Sequence, residues 1–333
     1  MTRRSQRMSA RWPRDWVWIA LLGSGMVVGG CLAWLVAATR VVLPYDEAFV
    51  GLSRDELLAV NGRLLAFLAH DRVTLAGTMV AIGVLYLVLA VYPLRRGEPW
   101  ARTAVMASAS AGFASFFLFL GFGYFDPLHA LVTVLLLPFF LLGLFAPRAR
   151  PAPSADADSA GRSFPVDRRS GSADGWLRGA PLGQFLFLAV AGGLLSGGVA
   201  LAAIGVSVVF VPEDLAFMAT TRDALDAASP PLVPLVAHDR AGLGGALVSN
   251  GLGVLLPVLW GYRPGARWLW WMLLASGAPG FVAALGTHLA VGYTDVWHLA
   301  PALTGLGLYV AALAASAPVL LARAGPARIV RPT

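Results

Sequence analysis

The tetrapeptide Ala69-His70-Asp71-Arg72 returns as Ala237-His238-Asp239-Arg240, and each copy stands at the head of a long apolar run. The copies lie 168 positions apart, and the same displacement aligns much else. Pro44, Asp46, Ala48, Phe49, Arg54, Asp55 and Leu57 fall on Pro212, Asp214, Ala216, Phe217, Arg222, Asp223 and Leu225. Gly77 falls on Gly245, Gly83 on Gly251, Arg95 on Arg263, Gly97 on Gly265 and Trp100 on Trp268. After one inserted residue, GYFDPLH (123–129) meets GYTDVWH (292–298). A register shared through most of two halves is read as an internal duplication, which organises every later assignment.

Around these blocks the chain is too apolar for water. Of its 333 residues 58% are hydrophobic and 13% charged, where soluble domains carry about 25% charged residues. Crossing a hydrocarbon core of roughly 30 Å takes ~20 apolar residues in a helix. Eight such runs are present, near 16–39, 73–94, 101–123, 128–147, 182–207, 241–260, 268–290 and 299–321. Backbone groups in lipid must bond internally, so these runs predict helices. Runs of this length do not suit a β-barrel, whose strands are about ten residues and alternate. The expected fold is an all-α integral membrane protein. It has eight transmembrane helices arranged as two parallel, internally duplicated four-helix units. Unit 1 covers 16–147 and unit 2 covers 181–321, after an Arg-rich N-terminus (1–15), around a flexible linker (148–180) and before a short tail (322–333). Four crossings per unit give both units one orientation, related by an axis along the membrane normal.

Arginine supplies the orientation. All 25 basic residues are arginine, and 19 of them flank the spans on the side of the termini and the linker. The positive-inside rule makes that side cytoplasmic. It predicts a multi-pass protein of the inner or plasma membrane with both termini inside. The basic excess is thereby explained by topology, and no nucleic-acid partner is expected; the bilayer is the partner. Cys31 is the single cysteine, so no disulfide or CxxC pair can form within one chain.

On the outer side each unit carries an insert of ~30 residues between its first two spans. In the first, Ser53 and Glu56 have capping-box spacing, and the following leucines suit an amphipathic helix lying along the surface. In the second, Pro230, Pro231 and Pro234 predict a shorter or broken helix. These inserts are the expected surface for a protein partner.

All five histidines (His70, His129, His238, His288 and His298) fall at the outer ends of spans, as do 12 of the 18 acidic residues. One reading is structural. Asp71 and Asp239 would cap the second span of each unit, Asp126 before Pro127 would cap the fourth, and Arg72 and Arg240 would reach lipid headgroups. Tyr124 and Tyr293 would be interfacial anchors. The other reading is chemical. Capping does not need histidine, yet both histidines of the motif recur in both halves. Asp126 and His129, at i and i+3, share one face of a helical turn. With His70 from the neighbouring span they make three ligands for a divalent transition metal with an open position. The candidate metal residues are therefore His70, Asp71, Asp126 and His129 in unit 1, and His238, Asp239, Asp295 and His298 in unit 2. This reading expects His70 beside His129, and His238 beside His298. Haem held by two histidines is the weaker form, because these residues sit at helix ends.

A redox or hydrolytic metal protein is the first functional expectation, and a non-catalytic scaffold whose motifs only cap helices is the alternative. Acid–base catalysis by the His–Asp pairs is a further one. Transport comes last, since no ionisable residue falls in the middle of an expected span. No P-loop, GxSxG or HExxH motif is present.

Overall fold

The computed structural model describes residues 14–115, 117, 121–147 and 181–322, and the described residues form helices and connecting turns with no strand. The Arg-rich N-terminus, the linker and most of the tail lie outside them. Unit 1 contributes α1 (Asp15–Thr39), α2 (Pro44–Val50), α3 (Arg54–Val60), α4 (Leu64–Leu89), α5 (Pro99–Ser115) and α6 (Pro127–Phe145). A single π-helical turn, Ala90–Leu94, extends α4 and accommodates Pro93. Unit 2 contributes α7 (Leu182–Gly205), α8 (Pro212–Met218), α9 (Arg222–Ala228), α10 (Leu232–Gly261), α11 (Arg267–Val291) and α12 (Val296–Leu320).

Among the described residues seven helices are long and apolar enough to cross a membrane: α1, α4, α6, α7, α10, α11 and α12. Where a further span was expected over 101–123, α5 has 17 residues among those described. Residues 116 and 118–120, which would continue it, lie outside the described set.

The outer inserts differ from expectation in a way that matters for the site. The stretch 53–70 is not one surface helix. Ser53 opens α3 with a capping box to Glu56, but α3 stops at Asn61, in extended backbone. The chain then re-enters helix at Leu64, so His70, Asp71 and Arg72 lie in the second turn of α4 and beyond. The second insert breaks at the same place, between α9 and α10, with Pro230 and Pro231 at the junction. Asp71 and Asp239 are therefore not N-caps, because their own backbone groups are already inside helices.

α4 and α10 are the central pair, mostly buried, while the other apolar helices expose most of their surface. α4 packs along α1, and α10 along α7. Packing also runs between the halves of the chain: α11 packs along α4, and α5 along α10. The two units are interlocked rather than side by side. Close approach of α10 to α7 rests on Gly244, where a Cβ would stand 2.6 Å from the Gly198 carbonyl oxygen and 2.5 Å from the Ala202 amide nitrogen. Gly23 and Gly83 do the same between α1 and α4. Gly193 and Gly197, although spaced as GxxxG, have open space instead. Gly244→Leu is expected to cost about 3 kcal/mol or more, because both obstacles are backbone and cannot rotate away. Thermal unfolding in detergent checks this, with Gly193→Leu as the silent control.

Two large apolar cores, and a small third around Ala37, Val73 and Ala283, result among the described residues. One fills the bundle around Leu85, Leu89, Phe187 and Leu269. The other lies at the outer end, where Leu57, Phe67, Tyr124, Met218, Leu225 and Tyr293 join the inserts to the helix ends. The inserts also hydrogen-bond across halves: Asn61 Nδ2 donates to the Met218 carbonyl at 2.7 Å, and Ser229 Oγ to the Val50 carbonyl at 2.7 Å. They close over the polar residues of α4 and α10.

Candidate metal centres

Beneath the inserts lies a reciprocal ion-pair network. Arg72 donates from Nε to Asp239 Oδ2 at 2.7 Å and from Nη1 to Asp46 Oδ2 at 2.7 Å. Arg240 pairs with Asp71 through Nε at 3.3 Å and with Asp214 through Nη1 at 2.7 Å. Neither arginine reaches lipid headgroups; Arg240 is 2% exposed. Each guanidinium also donates to a carbonyl, Arg72 to Val41 at 2.6 Å and Arg240 to Val209 at 2.8 Å. Those two valines have φ of 56° and 66°. That left-handed conformation is rare for a β-branched residue, and costs of order 1–3 kcal/mol where the surroundings impose it. The strain turns both carbonyls toward the buried arginines.

Asp46 and Asp214 were not singled out from sequence, although both recur at the 168-residue displacement. Each also accepts a tyrosine hydroxyl: Tyr124 donates to Asp46 Oδ1, and Tyr293 to Asp214 Oδ1 at 2.8 Å. Burial first, and the neighbouring aspartate second, hold both phenols well above their ordinary pKa, so both stay protonated. Burial works against the Asp214 carboxylate. Even so, the Arg240 charge and hydrogen bonds from Arg240, the Val211 amide and Tyr293 keep its pKa below the ordinary 3.8. These tyrosines are buried hydrogen-bond donors and not surface anchors.

The four buried carboxylates Asp46, Asp71, Asp214 and Asp239 face only two arginines. The network is two negative charges in excess, and buried charge is costly unless balanced. Histidines line both places where balance would come from: His70 Nε2 is 3.3 Å from Asp71, and His238 Nδ1 is 3.1 Å from Asp239.

The first cluster joins His70 on α4 to His288 on α11 and His298 on α12, with one ligand-capable nitrogen from each within 4.8 Å of the others. Its hydrogen bonds fix the tautomers. His288 Nδ1 lies 2.6 Å from the Ala284 carbonyl, which only accepts, so Nδ1 carries the proton. His298 Nδ1 lies 3.1 Å from the Tyr293 oxygen. That hydroxyl already gives its hydrogen to Asp214, so His298 Nδ1 must donate too. Both neutral rings then present bare Nε2 lone pairs, and these two atoms are 3.1 Å apart. Two lone pairs at that separation repel unless a proton on one of them or a metal cation lies between them. Nitrogens bound at 2.0–2.1 Å to a tetrahedral zinc ion stand about 3.3 Å apart. Donation of the second ring N–H to a carbonyl or a polar group is the usual support of a ligating imidazole.

The second cluster joins His238 on α10 to Asp126 and His129 at the start of α6, again within 4.8 Å. His238 Nδ1 faces Asp239 Oδ1 at 3.1 Å. Asp126 caps α6 as the sequence indicates, accepting from the Leu128 and His129 amides at 2.9 and 3.1 Å. Asp295 caps α12 through the His298 amide at 2.8 Å, but is exposed and does not join the first cluster.

The pairing differs from the sequence expectation. His70 meets His298 and not His129; His238 meets His129 and not His298. Each cluster takes one histidine of the AHDR block from one half and the rest from the other half, because α11 packs along α4 and α5 along α10. Asp71 and Asp239 flank the clusters and bridge to the opposite arginines. His288, for which sequence comparison offered only Phe119 in the first half, completes the first cluster. Comparison with protein-family models, with curated proteins and with solved structures gives no match to this chain.

Proposed function

We propose that this is a multi-pass membrane protein of an inner or plasma membrane that binds divalent transition-metal ions at two clusters near the outer ends of its spans. In this reading the chain has eight spans in two duplicated halves, with the arginine-rich termini and linker inside. The observation that carries the metal assignment is the pair of His288 and His298 Nε2 atoms, 3.1 Å apart with both Nδ1 hydrogens committed elsewhere. The two excess buried carboxylates supply the matching negative charge. Three protein ligands leave an open position for water or substrate, the arrangement of metal sites that act on bound groups. An open depression of about 530 Å³, lined by Glu213, Phe217, Tyr293, Thr294 and Asp295 among others, shares with the first cluster the Tyr293 that bonds His298.

The capping of α6 and α12 by Asp126 and Asp295 favours a second reading, a scaffold without metal. Elemental analysis of protein purified in mild detergent without chelator separates the two. The metal reading expects about one to two transition-metal ions per chain, with binding restored after chelation on adding the metal back. No metal, and no binding on titration with Zn²⁺, would leave the scaffold.

A further inference from the structure

The two clusters are built from corresponding parts of a repeated sequence, yet their donor sets differ. The first has three imidazoles, His70, His288 and His298. The second has two imidazoles and a carboxylate, His129, His238 and Asp126. The difference has two sources. His288 has Phe119 as its sequence counterpart, so only one half offers a third histidine. Asp126 and Asp295 occupy equivalent N-caps, but Asp126 turns its carboxylate into a cluster while Asp295 stays exposed.

Accepting that the clusters bind metal, we infer that they are selective for different ions. The three-imidazole cluster takes zinc, and the two-histidine, one-carboxylate cluster takes a harder, octahedral divalent ion of the manganese or ferrous class. Imidazole donors suit zinc and copper, whereas a carboxylate beside two histidines with open positions suits ferrous iron and manganese. The first cluster offers imidazoles alone, and its nearest carboxylate, Asp71, is engaged by Arg240 through its other oxygen. In the second, the anionic group is itself a ligand candidate. Its approach to the ion adds a hard oxygen and lowers the net charge of the occupied site. A protein with one zinc and one redox-capable ion, both under the same insert layer, has a structural or Lewis-acid site and a distinct site for electron chemistry.

The test uses the full-length protein in detergent, stripped with chelator and titrated with Zn²⁺ or Mn²⁺ alone. His129→Phe leaves the first cluster and His288→Phe leaves the second; both replace residues on peripheral helices. Mn²⁺ binds either site more weakly than Zn²⁺, but the Mn²⁺-to-Zn²⁺ ratio of Kd values is expected to be larger in H129F than in H288F by about tenfold or more. Asparagine caps a helix as well as aspartate, so Asp126→Asn keeps the start of α6. It is expected to lose the wild-type bound-Mn²⁺ paramagnetic resonance signal while still binding Zn²⁺. Equal ratios in H129F and H288F, or a D126N protein that keeps its Mn²⁺ signal, would overturn the inequality. Failure of the wild-type protein to bind either ion would instead overturn the metal reading beneath it.

Discussion

Arg240→Met is expected to destabilise the protein by about 3–5 kcal/mol, the usual consequence of removing one partner from a buried ion pair. Arg240 is 2% exposed and stands between Asp71 and Asp214, which are 5% and 0% exposed. Methionine fills most of the volume, so the loss comes from charge and not from a cavity. The sign of the pH dependence identifies the cause. In the native protein Asp214 is held below its ordinary pKa of 3.8, so its stabilising contribution is present above that value and lost as the pH falls through the folded pKa. Without Arg240, burial becomes the dominant influence and lifts the Asp214 pKa above its unfolded value. The carboxyl then prefers to be protonated in the folded state, and the variant regains stability on acidification. Arg240, Tyr293 and the Val211 amide are the groups that bond the Asp214 carboxylate, and Asp71 lies across Arg240. Unfolding midpoints measured across pH, on chelated protein so that metal release does not contribute, should show the reversal. Asp214→Asn in the Arg240→Met background should restore part of the loss. A pH profile parallel to the native one would show that Arg240 acts by packing alone.

The second large effect is on metal affinity. His298→Ala is expected to weaken Zn²⁺ binding at the first cluster by about 10–100-fold or more, the range seen even for groups one step removed from the ion. It removes one Nε2 of the 3.1 Å pair and the ring N–H that donates to the Tyr293 oxygen. His70→Ala should weaken the same ion although it belongs to the other half of the chain. Zinc titration at fixed ionic strength, with two resolvable binding events in the native protein, checks both. If His70→Ala instead weakened the event that His129→Ala removes, the clusters would be formed within halves, and the packing of α11 on α4 and α5 on α10 would not set the ligands.

The exchange of ligands between halves is what the sequence leaves open. The apolar runs of the seven long helices are visible in composition because lipid demands them. The cap at Asp126 is visible because Asp-Pro at a helix start has a local cause. The position of the AHDR blocks within their helices is not local. It depends on α4 starting at Leu64, right after the break at Asn61, so that the histidine points into the bundle and not to the surface. A repeat likewise says which residues correspond but not whether corresponding motifs meet within a half or across halves. His70 and His238 each had two equivalent partners on paper, and the packing of α11 on α4 and α5 on α10 decided between them. Asp46 and Asp214 carried a usable signal: an aspartate repeated in both inserts, facing an arginine repeated in both spans. Charge balance could have paired them before any coordinates. The role of His288 had no such signal, since nothing in the first half matches it.

The most direct measurement is anomalous diffraction at the zinc edge from crystals of the zinc-loaded protein. The account predicts a peak about 2.0–2.1 Å from imidazole nitrogens of His70, His288 and His298 together, an ion held jointly by the two halves of the chain. Zinc bound between His70 and His129, or no peak among these histidines at any loading, would contradict it.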